Sequence, residues 1–325
     1  MLKFERVNHM KQIEHVCIVG FGALGIMFGS MINRGFPACG PDFCADEERI
    51  SRYRSQTYTC NGEACSFSFV TPSVSRTYDL IIFATKYSGL RDAIQSVQNK
   101  IHPQTILISL LNGITSEEII GNALGQEKII RSIAQGMDTT KLGTEVTFSH
   151  CGQIIFGLTQ DEAHKKPKQE TLAAFFDKSG IPYTLSQDIR RSMWSKLMLN
   201  VGVNQATAVF DTGYGGVNRP GEARQTMIAA MREAMAVANC EGIDLGEQDL
   251  ADYLSMLAVL ADAGMPSMRQ DILLGRPTEV ELFAGTILAY AKKHGLETPV
   301  NRRLYKIIKE KEKNVGENRQ LYGRS

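Results

Sequence analysis

The chain lacks two features that would assign it at once to a large class of proteins: an excess of charge of one sign, and a long apolar run. Its 325 residues carry 36 Lys and Arg against 35 Asp and Glu, a formal net charge of +1. With so little basic excess we expect no nucleic-acid partner, because gripping a phosphate backbone needs clustered positive charge. A membrane-spanning helix needs about 20 consecutive apolar residues. No run approaches that length, so we expect no membrane partner either.

The chain also has no internal repeat, no low-complexity tract and no apolar signal-peptide core. Residues 1–15 are charged and polar, unlike a secretory signal, and we interpret them as an extension before the first strand. The expected location is the cytoplasm. Hydrophobic residues make up 43 % and charged residues 22 % of the chain, values typical of a globular protein. A chain of this length usually forms about two domains.

The seven cysteines include two pairs with four residues between the members, Cys39 with Cys44 and Cys60 with Cys65. Paired zinc ligands usually have about two to four residues between them, so this spacing lies at the edge of the range. All four cysteines lie in or beside strand-like sequence, where cysteine packs as a small apolar residue. The sequence therefore favours a protein without a metal site, and a reducing cytosol argues against disulfides.

What the chain does have is a glycine motif directly after an apolar run. Residues 16–25 contain the spacing Gly-x-Gly-x-x-Gly. In a strand–turn–helix unit the first glycine permits a tight turn, the second lets the backbone approach a pyrophosphate, and the third allows close helix packing. Free N–H groups at the helix N-terminus then hold the phosphates. A purely structural glycine turn is the alternative. We predict dinucleotide binding by Gly20, Phe21, Gly22, Ala23, Leu24 and Gly25.

Hydrophobic periodicity predicts an α/β domain over residues 13–187 and a helical domain over residues 188–313. In the first, apolar strand-like runs alternate with helical segments, the pattern of a doubly wound parallel sheet. Asn61-Gly62 predicts a hairpin turn. The predicted strands are 13–19, 38–45, 80–85, 105–111, 128–134, 146–149, 153–156 and 182–185. The predicted helices are 23–33, 47–54, 88–98, 116–123, 167–178, 189–210, 219–241, 250–261, 279–294 and 301–312, with a short turn from 267.

Polar residues on helical faces mark the second domain. Lys196, Asn200 and Asn204 recur every four residues and form one stripe on an otherwise apolar helix. Because buried polar groups are costly without partners, this stripe predicts a wet or ligand-filled cavity. The alternative is a stripe that caps neighbouring carbonyl groups or faces solvent. Further on, Ser267 and Asp271 share a face one turn apart.

Thr278 begins a Thr-x-x-Glu pattern, which predicts a helix-capping box with Thr278 as the N-cap. Glu279 would then lie in the first helical turn, where an acid suits the helix dipole. That structural interpretation of Glu279 is favoured as long as the residue is considered alone.

In combination these motifs resemble the ketopantoate reductase family. The resemblance covers residues 13 to 312 and implies a Rossmann-type domain followed by a helical domain like that of 6-phosphogluconate dehydrogenase. It implies NAD(P)H-dependent reduction of 2-dehydropantoate to (R)-pantoate, a step toward pantothenate and coenzyme A. The matching residues, in the family's order and spacing, are the glycine motif, Thr85-Lys86, Leu111-Asn112-Gly113, Trp194-x-Lys196-x-x-x-Asn200-x-x-x-Asn204, Ser267-Met268-x-x-Asp271 and Thr278-Glu279.

The resemblance also implies roles for individual residues. Lys196 would be the general acid that protonates the keto oxygen, a cation aimed at a developing alkoxide. Glu279 would orient Lys196 and hold the cofactor ribose, and Asn112 would bridge nicotinamide ribose and substrate. Lys86 would bind the cofactor, and Asp271 would position a helix. The substrate carboxylate and hydroxyl would be held by Asn200, Asn204 and Ser267.

Two positions depart from the family pattern. Asp46 follows the second strand, 21 residues after Gly25, where a dinucleotide fold places the residue that contacts the adenosine ribose. The family usually has an arginine there for the 2′-phosphate of NADPH. A carboxylate predicts tolerance or preference for NADH, although Arg49 and Lys86 remain near for a phosphate. At Tyr214 the family often has a substrate-binding asparagine, which leaves the substrate open.

Two other functions are compatible with these residues. One is a related 2-keto or 3-hydroxy acid dehydrogenase that shares Lys196 but recognises a different substrate. The other is a non-catalytic nucleotide-binding sensor, against which the Lys196–Glu279 pair argues because a sensor needs no proton donor. The oligomeric state is left open, a homodimer being one option.

Overall fold

The computed structural model describes residues 12–322, with side chains to residue 314, so most of the predicted extension at residues 1–15 lies outside the described residues. Contacts divide the described chain into two units. The first contains residues up to 111 together with 116–189, and the second contains residues 112–115 together with 190 onwards. None of the helices within residues 12–322 is both long and apolar enough to cross a membrane.

The first unit mixes strands and helices. Its strands are β1 (Val16–Val19), β2 (Asp42–Cys44), β3 (Tyr58–Cys60), β4 (Glu63–Cys65), β5 (Ser68–Val70), β6 (Leu80–Phe83), β7 (Ile106–Ser109), β8 (Arg131–Met137), β9 (Thr140–Leu142), β10 (Glu145–Thr147), β11 (Cys151–Gly157) and β12 (Tyr183–Ser186). Its helices are α1 (Ala23–Gly35), α2 (Glu47–Arg54), α3 (Leu90–Ser96), α4 (Ser116–Leu124) and α5 (Lys166–Ser179).

Five strands form a parallel sheet in the order β5-β2-β1-β6-β7, which confirms the predicted Rossmann-type architecture. Successive residues of its central strands pack into two separate hydrophobic clusters. Ile18 and Ile82 belong to one cluster, and Cys17 and Ile81 belong to the other. The sheet is therefore buried on both faces, as continuous apolar strands require.

The remaining strands form two smaller sheets, β4-β3-β10-β9 and β12-β11-β8. The predicted hairpin is confirmed: Asn61 and Gly62 have φ of 50° and 80°, as a two-residue hairpin turn demands. The strand predicted at 38–45 is wrong in its first half. Pro37 opens a 3₁₀ turn that occupies Pro37–Cys39, because its fixed φ suits a helical start, and β2 begins only at Asp42. Strands β5 and β9 were not predicted.

The four paired cysteines lie in this unit as free thiols. Cys39, Cys44 and Cys60 are buried and Cys65 is partly buried. Within residues 12–322, no group of three or more His, Cys, Asp or Glu side chains is placed to hold a metal ion.

The second unit is helical, as predicted. Its helices are α6 (Ile189–Val209), α7 (Tyr214–Asn218), α8 (Glu222–Cys240), α9 (Glu247–Ala258), α10 (Ser267–Leu273), α11 (Thr286–His294) and α12 (Pro299–Tyr322), and a single π-helical turn spans Glu281–Gly285. Helix α7 was not predicted. The core forms around α6, whose Leu197, Met198 and Val201 are buried in one cluster with residues of α8 and α11.

The predicted capping box at Thr278 is wrong. The carboxylate that accepts from the Thr278 N–H and hydroxyl, both at 2.7 Å, belongs to Glu312 of α12 and not to Glu281. Glu281 instead accepts from the Tyr305 hydroxyl at 2.7 Å. Regular helix starts late here because the π-turn intervenes, so Glu279 precedes the helix instead of lying in its first turn. A long-range contact with Glu312 has replaced the predicted contact with Glu281, while the Thr278 hydroxyl oxygen still accepts from the Val280 N–H at 3.3 Å.

Candidate active site

The glycine turn between β1 and α1 is shaped by two close backbone approaches. Gly20 has φ of +118°, and a Cβ there would lie 2.4 Å from the Ala84 carbonyl oxygen. A Cβ on Gly25 would lie 2.0 Å from the Gly20 carbonyl oxygen. The fold itself therefore requires glycine at both positions.

Gly22 is different, because a Cβ there would meet nothing nearer than Ala84 O at 4.0 Å. Gly22 is the N-cap of α1, whose first turn has no side-chain cap and no acidic residue. Space in front of an uncapped helix N-terminus suits a pyrophosphate group. The turn thus fits the dinucleotide that the sequence predicts.

A lysine that the sequence did not indicate contacts this turn. Lys141 of β9 donates from Nζ to the Phe21 carbonyl oxygen at 3.1 Å. Its ammonium also lies 5.5 Å from the Phe21 ring centroid and 5.2 Å from that of Tyr58. Cation–π contacts of this kind hold the ammonium in place. Since β9 itself was not recognised in the sequence, no signal pointed to Lys141.

Asp46 and Lys86 follow β2 and β6, the neighbours of β1, so both lie toward the carboxyl edge of the sheet where dinucleotide folds bind their ligands. Asp46 is the N-cap of α2 and accepts from the Arg49 N–H at 2.7 Å. The Arg49 Nε also lies 3.4 Å from the Asp46 carboxylate. Asp46 therefore has a structural role besides the predicted contact with the ribose. Lys86 is exposed.

In the second unit, one amide joins three of the predicted residues. Asn112 accepts from Lys196 Nζ at 3.1 Å through Oδ1 and donates to Glu279 Oε2 at 2.8 Å through Nδ2. The segment 112–115 belongs to this helical unit although its neighbours in sequence belong to the other. Asn112, Lys196 and Glu279 are all partly buried. The result is a cation and a carboxylate that are both hydrogen-bonded to one amide.

One helical turn further along α6, a second polar group forms. Asn204 Nδ2 donates to Asn200 Oδ1 at 3.1 Å, and Asn204 Oδ1 accepts from Ser267 Oγ at 3.3 Å and from the Met268 N–H at 3.2 Å. Asn204 Oδ1 therefore caps an N–H group at the start of α10, which differs from the structural alternative of a stripe that caps carbonyl groups or faces solvent. Asn200 and Asn204 are buried, whereas Ser267 is exposed.

The buried Nδ2 of Asn200 has no hydrogen-bond partner among the described residues. A buried amide left without an acceptor is costly, so the group suits a ligand oxygen. Together, α6 presents a cation and, one turn away, an amide donor. Such a pair can hold a small carboxylate-bearing molecule and place an acidic proton near it.

Two other predicted positions lie close to this group in the chain. Asp271 is buried in α10. Tyr214 begins α7, where its N–H donates to the Gly264 carbonyl oxygen at 2.9 Å, and burial raises the pKa of its phenol. The loop that holds Tyr214 leads directly into Ser267.

Comparison with known proteins identifies the family of this chain. Residues 16–161 match the family model for ketopantoate reductase PanE/ApbA, and residues 188–312 match the model for its C-terminal domain. A 2-dehydropantoate 2-reductase of Vibrio cholerae is 27 % identical over 233 residues, which cover 71 % of this chain and 77 % of the relative. One of Streptococcus pyogenes serotype M6 is 23 % identical over 304 residues, which cover 91 % and 97 %.

Solved structures share the fold. D-mandelate dehydrogenase with NADH and anilino(oxo)acetate superposes with a TM-score of 0.83 at 25 % identity, covering 93 % of this chain and 99 % of that one. A dimeric ketopantoate reductase from Staphylococcus aureus superposes with a TM-score of 0.79 at 22 % identity, with the same coverage. Since the two family models span most of its length, the chain belongs to the ketopantoate reductase family of NAD(P)-dependent oxidoreductases.

Proposed function

We propose that the chain reduces a 2-keto acid at the expense of a nicotinamide dinucleotide, with 2-dehydropantoate as the first candidate substrate and (R)-pantoate as its product. The observation that carries the proposal is the Lys196–Asn112–Glu279 arrangement, one helical turn from the unpartnered Asn200 amide. The names of the curated relatives support the choice of substrate.

The proposed role of each residue follows from the chemistry of its side chain. Bound at the glycine turn, the reduced dinucleotide supplies the hydride. Lys196 donates a proton from Nζ to the keto oxygen, where a cation stabilises the developing alkoxide more than the neutral carbonyl. Asn112 fixes the direction of Lys196 because its other end is held by Glu279. Asn200, Asn204 and Ser267 bind the carboxylate and hydroxyl of the substrate.

In the same proposal, residues 13–187 bind the dinucleotide and residues 188–313 bind the substrate. Ribose contacts come from Asn112 and Glu279, and Lys86 contributes to cofactor binding. A homodimer stays a prediction, to be tested by sedimentation; the Staphylococcus aureus relative is described as dimeric.

A second candidate reaction is the reduction of a bulkier 2-keto acid to a D-2-hydroxy acid. D-mandelate dehydrogenase, with its TM-score of 0.83, favours this alternative, because mandelate carries a phenyl ring where pantoate carries a branched alkyl group. The partly buried aromatic ring of Tyr214, where the family often has an asparagine, is consistent with a less polar substrate.

Steady-state kinetics with 2-dehydropantoate and phenylglyoxylate in parallel distinguishes the two reactions. We expect kcat/KM to be at least about tenfold higher for 2-dehydropantoate, a difference of about 1.4 kcal/mol in transition-state stabilisation. A reversed ratio assigns the second reaction. If neither acid nor other 2-keto acids are reduced although the dinucleotide binds, the protein is a sensor and the proposed function is wrong.

For the cofactor, we propose a preference for NADH over NADPH. The Asp46 carboxylate would repel a 2′-phosphate and accept hydrogen bonds from ribose hydroxyls. Support comes from the D-mandelate dehydrogenase structures, which contain NADH.

Replacing Asp46 by asparagine tests this preference cleanly, since asparagine caps helices as well as aspartate does and α2 keeps its cap. Like charges about 4 Å apart repel by about 1–4 kcal/mol near a protein surface. We therefore expect KM for NADPH to fall by about tenfold in Asp46→Asn, while KM for NADH changes less. A wild-type kcat/KM that strongly favours NADPH contradicts the proposal.

A further inference from the structure

Three buried polar residues flank the segment that carries Asn112. Ser109 ends β7, and Ser116 and Glu117 begin α4, all in the first unit. The two serines are fully buried and Glu117 is 3 % exposed. A buried carboxyl group is costly, and Glu117 has no ion pair among the described residues. None of the roles proposed above uses these three side chains.

Hydrogen bonds connect these three side chains in a row, and the order of donors and acceptors along the row can be deduced. Ser116 Oγ donates to Glu117 Oε2 at 2.9 Å, and the Ser109 and Ser116 hydroxyl oxygens lie 2.8 Å apart. A hydroxyl has a single proton. Because that of Ser116 points to Glu117, Ser109 must donate to Ser116. Ser109 Oγ then accepts from the N–H of Leu111 at 3.3 Å, the residue before Asn112.

The surroundings of Glu117 favour a proton near neutral pH. Burial raises the pKa of this carboxyl to about 7, opposed by the Ser116 hydroxyl, the N–H groups of Glu117 and Ser132, and the charge of Arg131. Arg131 on β8 is itself paired with Glu162, which also binds Lys165 at 2.7 Å. Burial is the largest influence on the pKa of Glu117, and Arg131 is the charged residue of the described chain that opposes it.

We propose that Ser109, Ser116 and Glu117 are positioning residues for Asn112, and that the reaction needs Glu117 ionised. The ionised carboxylate can only accept, which fixes the hydrogen-bond direction through both serines to the backbone before Asn112. A protonated Glu117 can donate to Ser116, which then donates to Ser109. Ser109 Oγ then accepts from Ser116 as well as from the Leu111 N–H, and its own proton must turn away from Ser116, which changes the geometry at Leu111 and weakens that contact. The inference rests on the proposed function, because Asn112 acts there through Lys196.

Glu117→Gln tests the proposal, because the amide oxygen accepts from Ser116 as the carboxylate does but cannot ionise. In the wild type we expect kcat to be about tenfold lower at pH 6 than at pH 8, since about one carboxyl in eleven is ionised one pH unit below a pKa of about 7. In Glu117→Gln this fall in kcat between pH 8 and pH 6 should disappear, while kcat at pH 8 stays close to wild type. Ser109→Ala should lower kcat at both pH values, and its kcat should no longer fall between pH 8 and pH 6.

The matched control is Glu118→Gln, the exposed neighbour on α4, which should keep the wild-type profile. If kcat of Glu117→Gln still falls between pH 8 and pH 6, the positioning role is overturned. It is also overturned if Ser109→Ala keeps the wild-type dependence of kcat on pH.

Measurements of thermal stability distinguish a failure of the positioning role from a failure of the proposed function, because they require no turnover. A carboxyl whose pKa rises from 4.5 to about 7 on folding stabilises the protein fully below about pH 4.5, and this stabilisation is lost as the pH rises through about 7. Wild-type Tm should therefore fall relative to Glu117→Gln between these pH values. A constant Tm difference shows that Glu117 does not titrate there, which overturns the proposal whether or not the enzyme reduces the assayed acid.

Discussion

Alanine at Lys196 is expected to lower kcat by about 10²- to 10⁴-fold, the usual contribution of a positioned general acid. The loss follows because no other cation hydrogen-bonds to Asn112 among the described residues, so the keto oxygen would have no nearby proton. Binding of the dinucleotide, which we propose to occur at the glycine turn, should change little. Steady-state kinetics measures the first effect, and a fluorescence titration with NADH or NADPH measures the second.

Lys292→Ala is the matched control, since Lys292 is an exposed lysine on α11 to which the proposed function assigns no role. It should keep wild-type kcat and Tm. If Lys196→Ala loses turnover and dinucleotide binding together, with a lowered Tm, Lys196 supports the fold instead of the chemistry. A kcat within about threefold of wild type would show that another group supplies the proton.

Alanine at Gly22 and alanine at Gly25 should fail for different reasons. At Gly22 the added methyl group has room in the protein, so Tm should stay near wild type, while the methyl group blocks the approach of the pyrophosphate. Each hydrogen bond lost to a charged group costs about 1.5–3 kcal/mol, so we expect Kd for the dinucleotide to rise by about 10- to 100-fold. Isothermal titration measures Kd directly.

At Gly25 the methyl group would lie 2.0 Å from the Gly20 carbonyl oxygen, so β1 or α1 must shift. Overpacking usually costs about 1–3 kcal/mol, and for a unit of this size that lowers Tm by roughly 2–10 °C. Differential scanning calorimetry of both variants makes the comparison. Equal Tm losses in the two variants would contradict the assignment of Gly22 to the ligand.

The local sequence was sufficient to predict an element wherever the contacts that stabilise this element lie close together in the chain. The Asn61-Gly62 turn needs only two residues that tolerate positive φ, and it formed as predicted. Apolar runs were sufficient to predict β1, β6 and β7, because a strand that is buried on both faces has apolar residues at nearly every position. Helical spacing alone placed Lys196, Asn200 and Asn204 on one face of α6.

Contacts between distant residues could not be predicted in this way. The cap of Thr278 comes from Glu312, 34 residues away, and the lysine that meets Phe21 comes from 120 residues away. Local propensity cannot anticipate either one, because each depends on which elements pack together.

By itself, therefore, the sequence determined the two-part architecture, the glycine turn and the polar stripe of α6, all of which follow from periodicity and short spacings. Only the tertiary structure decided that Asn112 joins the helical unit, where its single amide holds both Lys196 and Glu279. It also decided that Glu117, which lies in the helix predicted at 116–123, is buried. The physical reason is the same in both cases: desolvation and hydrogen-bond partners are set by packing between elements, which no local pattern encodes.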